Sequence, residues 1–214
     1  VTSPAPADES GPSPATVLDL ADYRRRMAEV YADLRRAPDP LSAWSLWREG
    51  RDALFTHPSG VWAESAQPPA TIPTWDHDPT WRLEVEVGPP VDDQPVGLPH
   101  SGDGVTMAEP IGTVRIDRGG DVGTLTLYWL RQYGGGLFLP FRDATSGDQT
   151  YGGGRYLLDG AKSADLGGAD RRLVLDFNFA YHPSCVHDPR WSCPLAPPTN
   201  TLPFAVRAGE RLAG

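Results

Sequence analysis

The chain has 214 residues, a formal net charge of −9, and 23 glycines and 23 prolines. That acidity argues against nucleic acid as a partner, because phosphate binding needs a basic patch that releases counterions. No apolar run approaches the roughly eighteen residues of a membrane-spanning helix, and the many breakers favour short strands joined by turns.

The opening stretch VTSPAPADESGPSPA has no basic residue and no apolar segment. It reads as a disordered tail over residues 1–15 rather than a secretory signal. The rest, 16–214, reads as one domain, with a helical part over 16–60 and a β-rich part over 75–212. Leu20, Tyr23, Met27, Val30, Tyr31 and Leu34 recur at helical spacing and predict a first helix over Leu18–Ala37. Asp39 and Pro40 form an N-cap and first-turn pair for a second helix, about Leu41 to Phe55. Its Trp44, Trp47, Arg48, Arg51 and Phe55 read as a packing face. His57 and Ser59, in the THPSG that follows, read as a helix-ending turn rather than a base and nucleophile.

From Trp81 to Val87 the apolar residues alternate with Arg82, Glu84 and Glu86, the pattern of a half-buried antiparallel strand. Gly88 to Pro110 reads as a long flap. Further strands are expected at Gly112–Ile116, Val122–Leu130, Gly136–Phe141, Arg155–Leu158, Arg172–Phe179 and Phe204–Arg207. DRGGDVG makes a hairpin turn, and Ala161–Asp170 a surface connection. The fold class that follows is α+β, mainly β: an N-terminal helical pair packed against an antiparallel curved sheet or β-barrel.

Chemistry-bearing residues concentrate between Phe141 and Asn200. In RLVLDFNFA, period two places Asp176 and Asn178 on one strand face, directed either into a second environment such as a barrel cavity or simply out to solvent. The run RDATSGDQTYGGGRY offers Arg142, Asp143, Thr145, Tyr151, Arg155 and Tyr156. Its arginines suit a carboxylate or phosphate, or equally an ion pair with Asp143 or Asp176. Its glycines lack the strand–glycine–helix context of a nucleotide loop, so no cofactor is expected.

His182, Cys185, His187 and Cys193 are four soft or borderline ligands in a spacing that matches no zinc module, and no metal is expected. The open alternatives for the cysteines are buried thiols, a disulfide, or Cys185 as a nucleophile. Two cysteines in a chain read as cytoplasmic are expected to be reduced. Lys162 is the single lysine among 19 basic residues, a bias read as compositional.

The W-R at Trp47 and Arg48, then F-R-D-A-T-S-G-x-x-T-Y-G-x-G-R-Y, L-D-F-N-x-A-Y-x-P-x-C, C-P-L-x-P-P-x-N and a terminal A-G-E together resemble the bacterial domain of unknown function 1684, across roughly Leu18 to Leu212. The resemblance implies little about activity. It gives weight to Arg142, Asp143, Thr145, Tyr151, Arg155, Tyr156, Asp176, Asn178, Tyr181, Cys185, Cys193 and Asn200, whereas His182 and His187 depart from its pattern.

The residues suit a cofactor-independent enzyme performing hydrolysis, elimination, isomerisation or cyclisation on a polar or anionic metabolite. Asp176 or Asp143 would move protons, with Tyr151 and Tyr181 beside them. Arg142, Arg155, Tyr156, Asn178 and Asn200 would bind substrate. In the competing reading the same network is scaffold in a non-catalytic binding or structural module. The expected partner is a small-molecule ligand, with no nucleic acid and no membrane; a homodimer is compatible with the sequence.

Overall fold

A computed structural model describes residues 14–213. The expected tail lies outside the described residues except for its last two positions, which already belong to a helix. Helix α1 spans Pro14–Arg36 and α2 spans Pro40–Phe55. Asp39 caps α2 as its sequence implies, accepting from the Ser42 N–H at 2.9 Å. Tyr23, Met27, Tyr31 and Leu34 form the buried stripe of α1, and Trp47 lies fully buried on α2. Each such side chain contributes roughly 1.5–3 kcal/mol on burial.

Eight strands follow: β1 (Arg82–Gly88), β2 (Val96–Pro99), β3 (Val105–Arg118), β4 (Asp121–Leu130), β5 (Leu137–Phe141), β6 (Arg155–Asp159), β7 (Gly168–Ala169) and β8 (Arg172–Asp176). They form one antiparallel sheet in the order β6-β5-β4-β3-β1-β8-β7, with β2 paired to β3. The sheet curls into a half-barrel rather than a closed barrel. Tyr156 on β6 exchanges both backbone hydrogen bonds with Tyr181, beyond the end of β8, at 2.9 and 3.1 Å. That single bridge joins the two sides of the curl where a full strand would close it.

Alternation along the strands serves two cores. Leu98, Ala108, Leu130, Phe138 and Tyr156 face the helices. Val114, Ile116, Leu125, Leu139, Phe141 and Leu175 fill the inside of the curl. The β3–β4 turn is Gly119-Gly120, both at positive φ (61° and 110°), as a two-residue hairpin of this hand requires. Among the described residues, no helix is long and apolar enough to cross a membrane.

The structure corrects three expectations. The flap over Gly88–Pro110 is largely a hairpin, because β3 begins at Val105 and passes through a bulge between Pro110 and Gly112. The proline and the bulge break the period-two signal, so half of the longest strand read as loop. Strand β8 stops at Asp176, whose carboxylate caps a 3-10 turn over Phe177–Phe179 by accepting from the Asn178 N–H. Phe204–Arg207 forms no strand: its polar backbone groups bond to side chains and loops instead of a ladder.

Asn200 fastens this irregular segment to the sheet. Its amide accepts from the Thr126 N–H and donates to Thr126 O and Pro140 O, each at 2.9 Å. Asn200→Ala is expected to cost about 3 kcal/mol, since it strands buried backbone groups. The exposed Thr201→Ala should cost less than about 0.5 kcal/mol. Urea unfolding of the two variants checks the contrast.

Candidate functional site

Residues singled out by sequence divide into two regions. The first is a buried polar network. Arg155, 1% exposed, donates to Asp143 Oδ2 at 2.9 Å, Ala208 O at 2.5 Å, Glu210 O at 3.1 Å and Val206 O at 2.7 Å. The other Asp143 oxygen accepts from the Thr145 N–H and hydroxyl at 2.7 and 2.6 Å and from the Val206 N–H at 3.2 Å. Burial lowers the pKa of Arg155, and the Asp143 carboxylate opposes that. Glu210 accepts from Arg51 Nε at 2.6 Å and from the His182 N–H at 2.7 Å. The Arg51–Glu210 ion pair and the carbonyls held by Arg155 thus join α2, β6 and the segment 206–210.

Asp176 and Asn178 do not share a strand face aimed at a cavity, as their spacing suggests, because the chain turns between them. Asp176 Oδ1 accepts both the backbone and side-chain N–H of Asn178, at 3.1 and 2.8 Å, and Oδ2 meets Arg82 at 3.3 Å. Burial raises the Asp176 pKa, and these donors oppose the rise. Asn178 in turn exchanges hydrogen bonds with the Asp78 backbone at 2.9 and 2.8 Å, which holds the approach to β1. Tyr181 donates to Asp159 Oδ2 at 2.7 Å beneath the Arg51 guanidinium. Arg142 pairs through its backbone with Asn200 and Leu202, and its Nε is buried without a partner.

The second region is a cavity of about 320 Å³ between α1 and the sheet. Tyr23, Leu130, Phe138 and Trp191 contribute apolar wall; Tyr156, Lys162 and Cys193 contribute polar groups. Tyr156 donates to Pro194 O, and burial holds its phenol well above the usual range. Lys162 donates to Ser184 Oγ at 3.1 Å and lies 5.2 Å from the Tyr181 ring centre. It makes no ion pair among the described residues. A larger groove of about 990 Å³ is lined by Val87 at the end of β1, Leu173 at the start of β8, and Ile111, Leu127 and Leu137. It contains none of the residues singled out by sequence.

Beside the cavity, Cys185 and Cys193 are free, half-buried thiols in contact with one another. Hydrogen bonding from Cys193, with further donation from Ser101 and Tyr151, lowers the Cys185 pKa to about 6.

The four residues weighed as a zinc set do not converge. His182 and His187 approach Glu210 instead, with ligand atoms within 4.8 Å of one another. That donor set fits a metal poorly. Glu210 is committed to Arg51 and to the His182 N–H, and His182 Nε2 accepts from the Tyr151 N–H at 3.3 Å. The Arg51 and Arg155 guanidiniums already supply the positive charge a metal would add. Burial and Arg155 hold the His182 pKa well below its usual value, and burial and Arg51 bring His187 to about 4.

Lys162, Ser101 and Asp159 are not among the sequence-derived candidates, and Arg51 and Glu210 enter there only within a packing face and the terminal A-G-E. Lys162 had a signal, its singularity, which was read as composition. Ser101 lay in the supposed flap, and nothing local marks Arg51 and Glu210, 159 positions apart, as partners.

The fold and its polar core define a mainly β half-barrel protein with two helices packed on the sheet. The chain belongs to the family described as "Protein of unknown function (DUF1684)", whose model matches residues 70–211. The match begins beyond both helices, short of the span over which the resemblance was read. The chain is similar to an uncharacterised protein of Haloarcula marismortui known from a solution NMR structure. The two are 36% identical over 71% of this chain and 86% of that one, with a TM-score of 0.48. It matches none of the curated proteins.

Two outcomes test this description. Arg155→Met is expected to destabilise the fold by about 4 kcal/mol, because Asp143 stays buried without its counter-charge. Adding Asp143→Leu should recover part of that loss in chemical denaturation. His187 takes a proton near pH 6.5 when unfolded but resists to about pH 4 when folded. Its destabilising effect is therefore absent above pH 6.5, grows as pH falls, and is complete near pH 4. His187→Phe, against Phe55 and Trp62, should reduce the stability lost over that window by roughly 2–3 kcal/mol, measured by urea unfolding at each pH.

Proposed function

We propose that the protein binds a small organic anion with an apolar body in the cavity between α1 and the sheet. The observation that carries this reading is Lys162, an ammonium group without an ion-pair partner among the described residues, at an apolar-walled cavity. Ligand sites of this kind combine apolar walls with a few polar groups that fix orientation. The cavity volume suits a compact ligand, and Arg24 on α1 adds a second positive charge to the lining. Asp159, the acidic residue of the wall, is occupied by the Tyr181 hydroxyl and the Ala161 N–H, at 2.7 and 3.0 Å.

We place binding ahead of proton-transfer catalysis by Asp143 or Asp176. Both oxygens of each carboxylate already accept hydrogen bonds, and neither residue lines this cavity or the larger groove. A general base needs a free lone pair within reach of its substrate. Arg155, Asn178 and Asn200 are likewise consumed by backbone and side-chain partners, which favours the scaffold role for that network.

Fluorescence titration with 8-anilinonaphthalene-1-sulfonate and with its neutral analogue N-phenyl-1-naphthylamine tests the reading. Lys162→Gln should weaken the anionic probe about tenfold, equivalent to about 1.4 kcal/mol, and leave the neutral one unchanged. Thr106→Trp, which fills the cavity from β3, should abolish both. Failure of native protein to bind either probe, or equal affinities in native and Lys162→Gln protein, overturns the proposal.

A further inference from the structure

The loop carrying Cys185 and Cys193 is built to hold two sulfurs together from separate supports. Cys185 lies in the 3-10 turn Ser184–Val186, whose first residue is held by Lys162. The chain then reverses at Asp188, which accepts from the backbone and guanidinium of Arg190 at 2.6–3.1 Å. The returning segment is latched to the β2–β3 hairpin: Ser101 N–H donates to Cys193 O at 2.9 Å and Leu195 N–H to Pro99 O at 2.8 Å. Ser192 donates to Asp103 O at 2.8 Å. Both cysteines lie between these anchors partly open to solvent, and their thiols are within hydrogen-bonding reach of one another.

Around Cys185 the donors are arranged for a thiolate. Ser101 Oγ accepts from the Cys193 N–H at 3.2 Å, which leaves its own proton to donate to the Cys185 sulfur. Tyr151 donates its phenol proton to the same atom. Cys193 supplies the third donor and is itself kept protonated, chiefly by the hydrogen bond it gives Cys185 and then by burial.

We infer that Cys185 and Cys193 form a dithiol site that exchanges with low-molecular-weight disulfides, Cys185 as the attacking sulfur and Cys193 as the resolving one. The Cys185 thiolate attacks one sulfur of the disulfide RSSR, and the S–S bond breaks. A mixed disulfide forms, and RS⁻ leaves and takes a proton from water. The Cys185 charge that kept Cys193 protonated is then gone, and Lys162 favours the Cys193 thiolate. Cys193 releases its proton and attacks Cys185 Sγ, expelling the second RS⁻, which that proton neutralises. The protein loses two electrons to form the Cys185–Cys193 disulfide, and RSSR gains them to become two RSH. Rates of such exchange follow the thiolate fraction and access of the attacking sulfur. This inference stands on the thiol geometry and does not depend on what the neighbouring cavity binds.

The test treats reduced, desalted protein with bis(2-hydroxyethyl) disulfide at about pH 7 and follows intact mass. Native protein should lose two hydrogens and release two equivalents of mercaptoethanol. Cys193→Ser, which retains a hydroxyl donor, should stop at one mixed disulfide mapped to Cys185. Cys185→Ser should react at least tenfold more slowly. Ser101→Ala and Tyr151→Phe, in the Cys193→Ser background, should each slow the reaction severalfold at about pH 6 and less as pH rises. Circular dichroism confirms that each variant is folded, with Cys193→Ala as a substitute where the serine is not. Equal rates for the two single-cysteine proteins, a native protein that forms no internal disulfide, or a native disulfide that resists thiol reductants until unfolding would overturn the inference.

Discussion

A guanidinium in the core constrains the rest of this structure. Arg155 sits on β6 with essentially no exposure, and a buried charge is tolerated only when its donors and its charge are both met. One carboxylate, Asp143, and three carbonyls, those of Val206, Ala208 and Glu210, meet that demand at the two terminal nitrogens, while Nε stays buried without a partner. The carbonyls must therefore point inward, so the segment that carries them lacks a regular strand ladder. Gly154, just before Arg155, has φ of +97°, and a Cβ there would lie 2.6 Å from Phe141 O. The backbone entering β6 is thus shaped by close approach as well as by the charge it delivers.

The same logic extends through Glu210 to the helices. Its carboxylate takes the Arg51 guanidinium on one side and the His182 N–H on the other, so α2 and the turn after β8 are fixed by one side chain. Hydrophobic area supplies the driving force for packing the helices on the sheet; the ion pairs select one arrangement among those that would bury similar area. Asn178 and Asn200 do comparable work with neutral amides, each spanning segments distant in sequence. Several of the polar residues that stand out in the sequence hold irregular backbone in place.

The helices and most of the sheet were legible because burial imposes a period. Met27, Tyr31 and Leu34 recur as a helix requires, and Leu83, Val85 and Val87 alternate as a strand does. Legibility failed where a local device overrides the period. Pro110 and its bulge hid the first half of β3, and the Asp176 carboxylate, by capping a turn, cut short a strand that the pattern extended to Phe179. The candidate site was legible in its residues more than in its grouping. Cys193 and Tyr156 do reach the cavity, and Tyr151 reaches the thiols, yet Lys162 and Ser101 acquire significance only from neighbours far away in sequence. Pairings such as Arg51 with Glu210 leave no periodic trace at all.

The position of the fasteners along the chain has a bearing on how the protein comes to fold. Arg51 enters early and Arg155 later, but both depend on acceptors between residues 206 and 210. During synthesis the helices and the β3–β4 hairpin have local partners and can form as they emerge. The two guanidiniums must stay hydrated until residue 210 has cleared the ribosome, so the hydrophobic layers cannot close around them before then. The decisive step in assembly of this fold is accordingly the docking of the segment 206–210, which allows the charges to leave water.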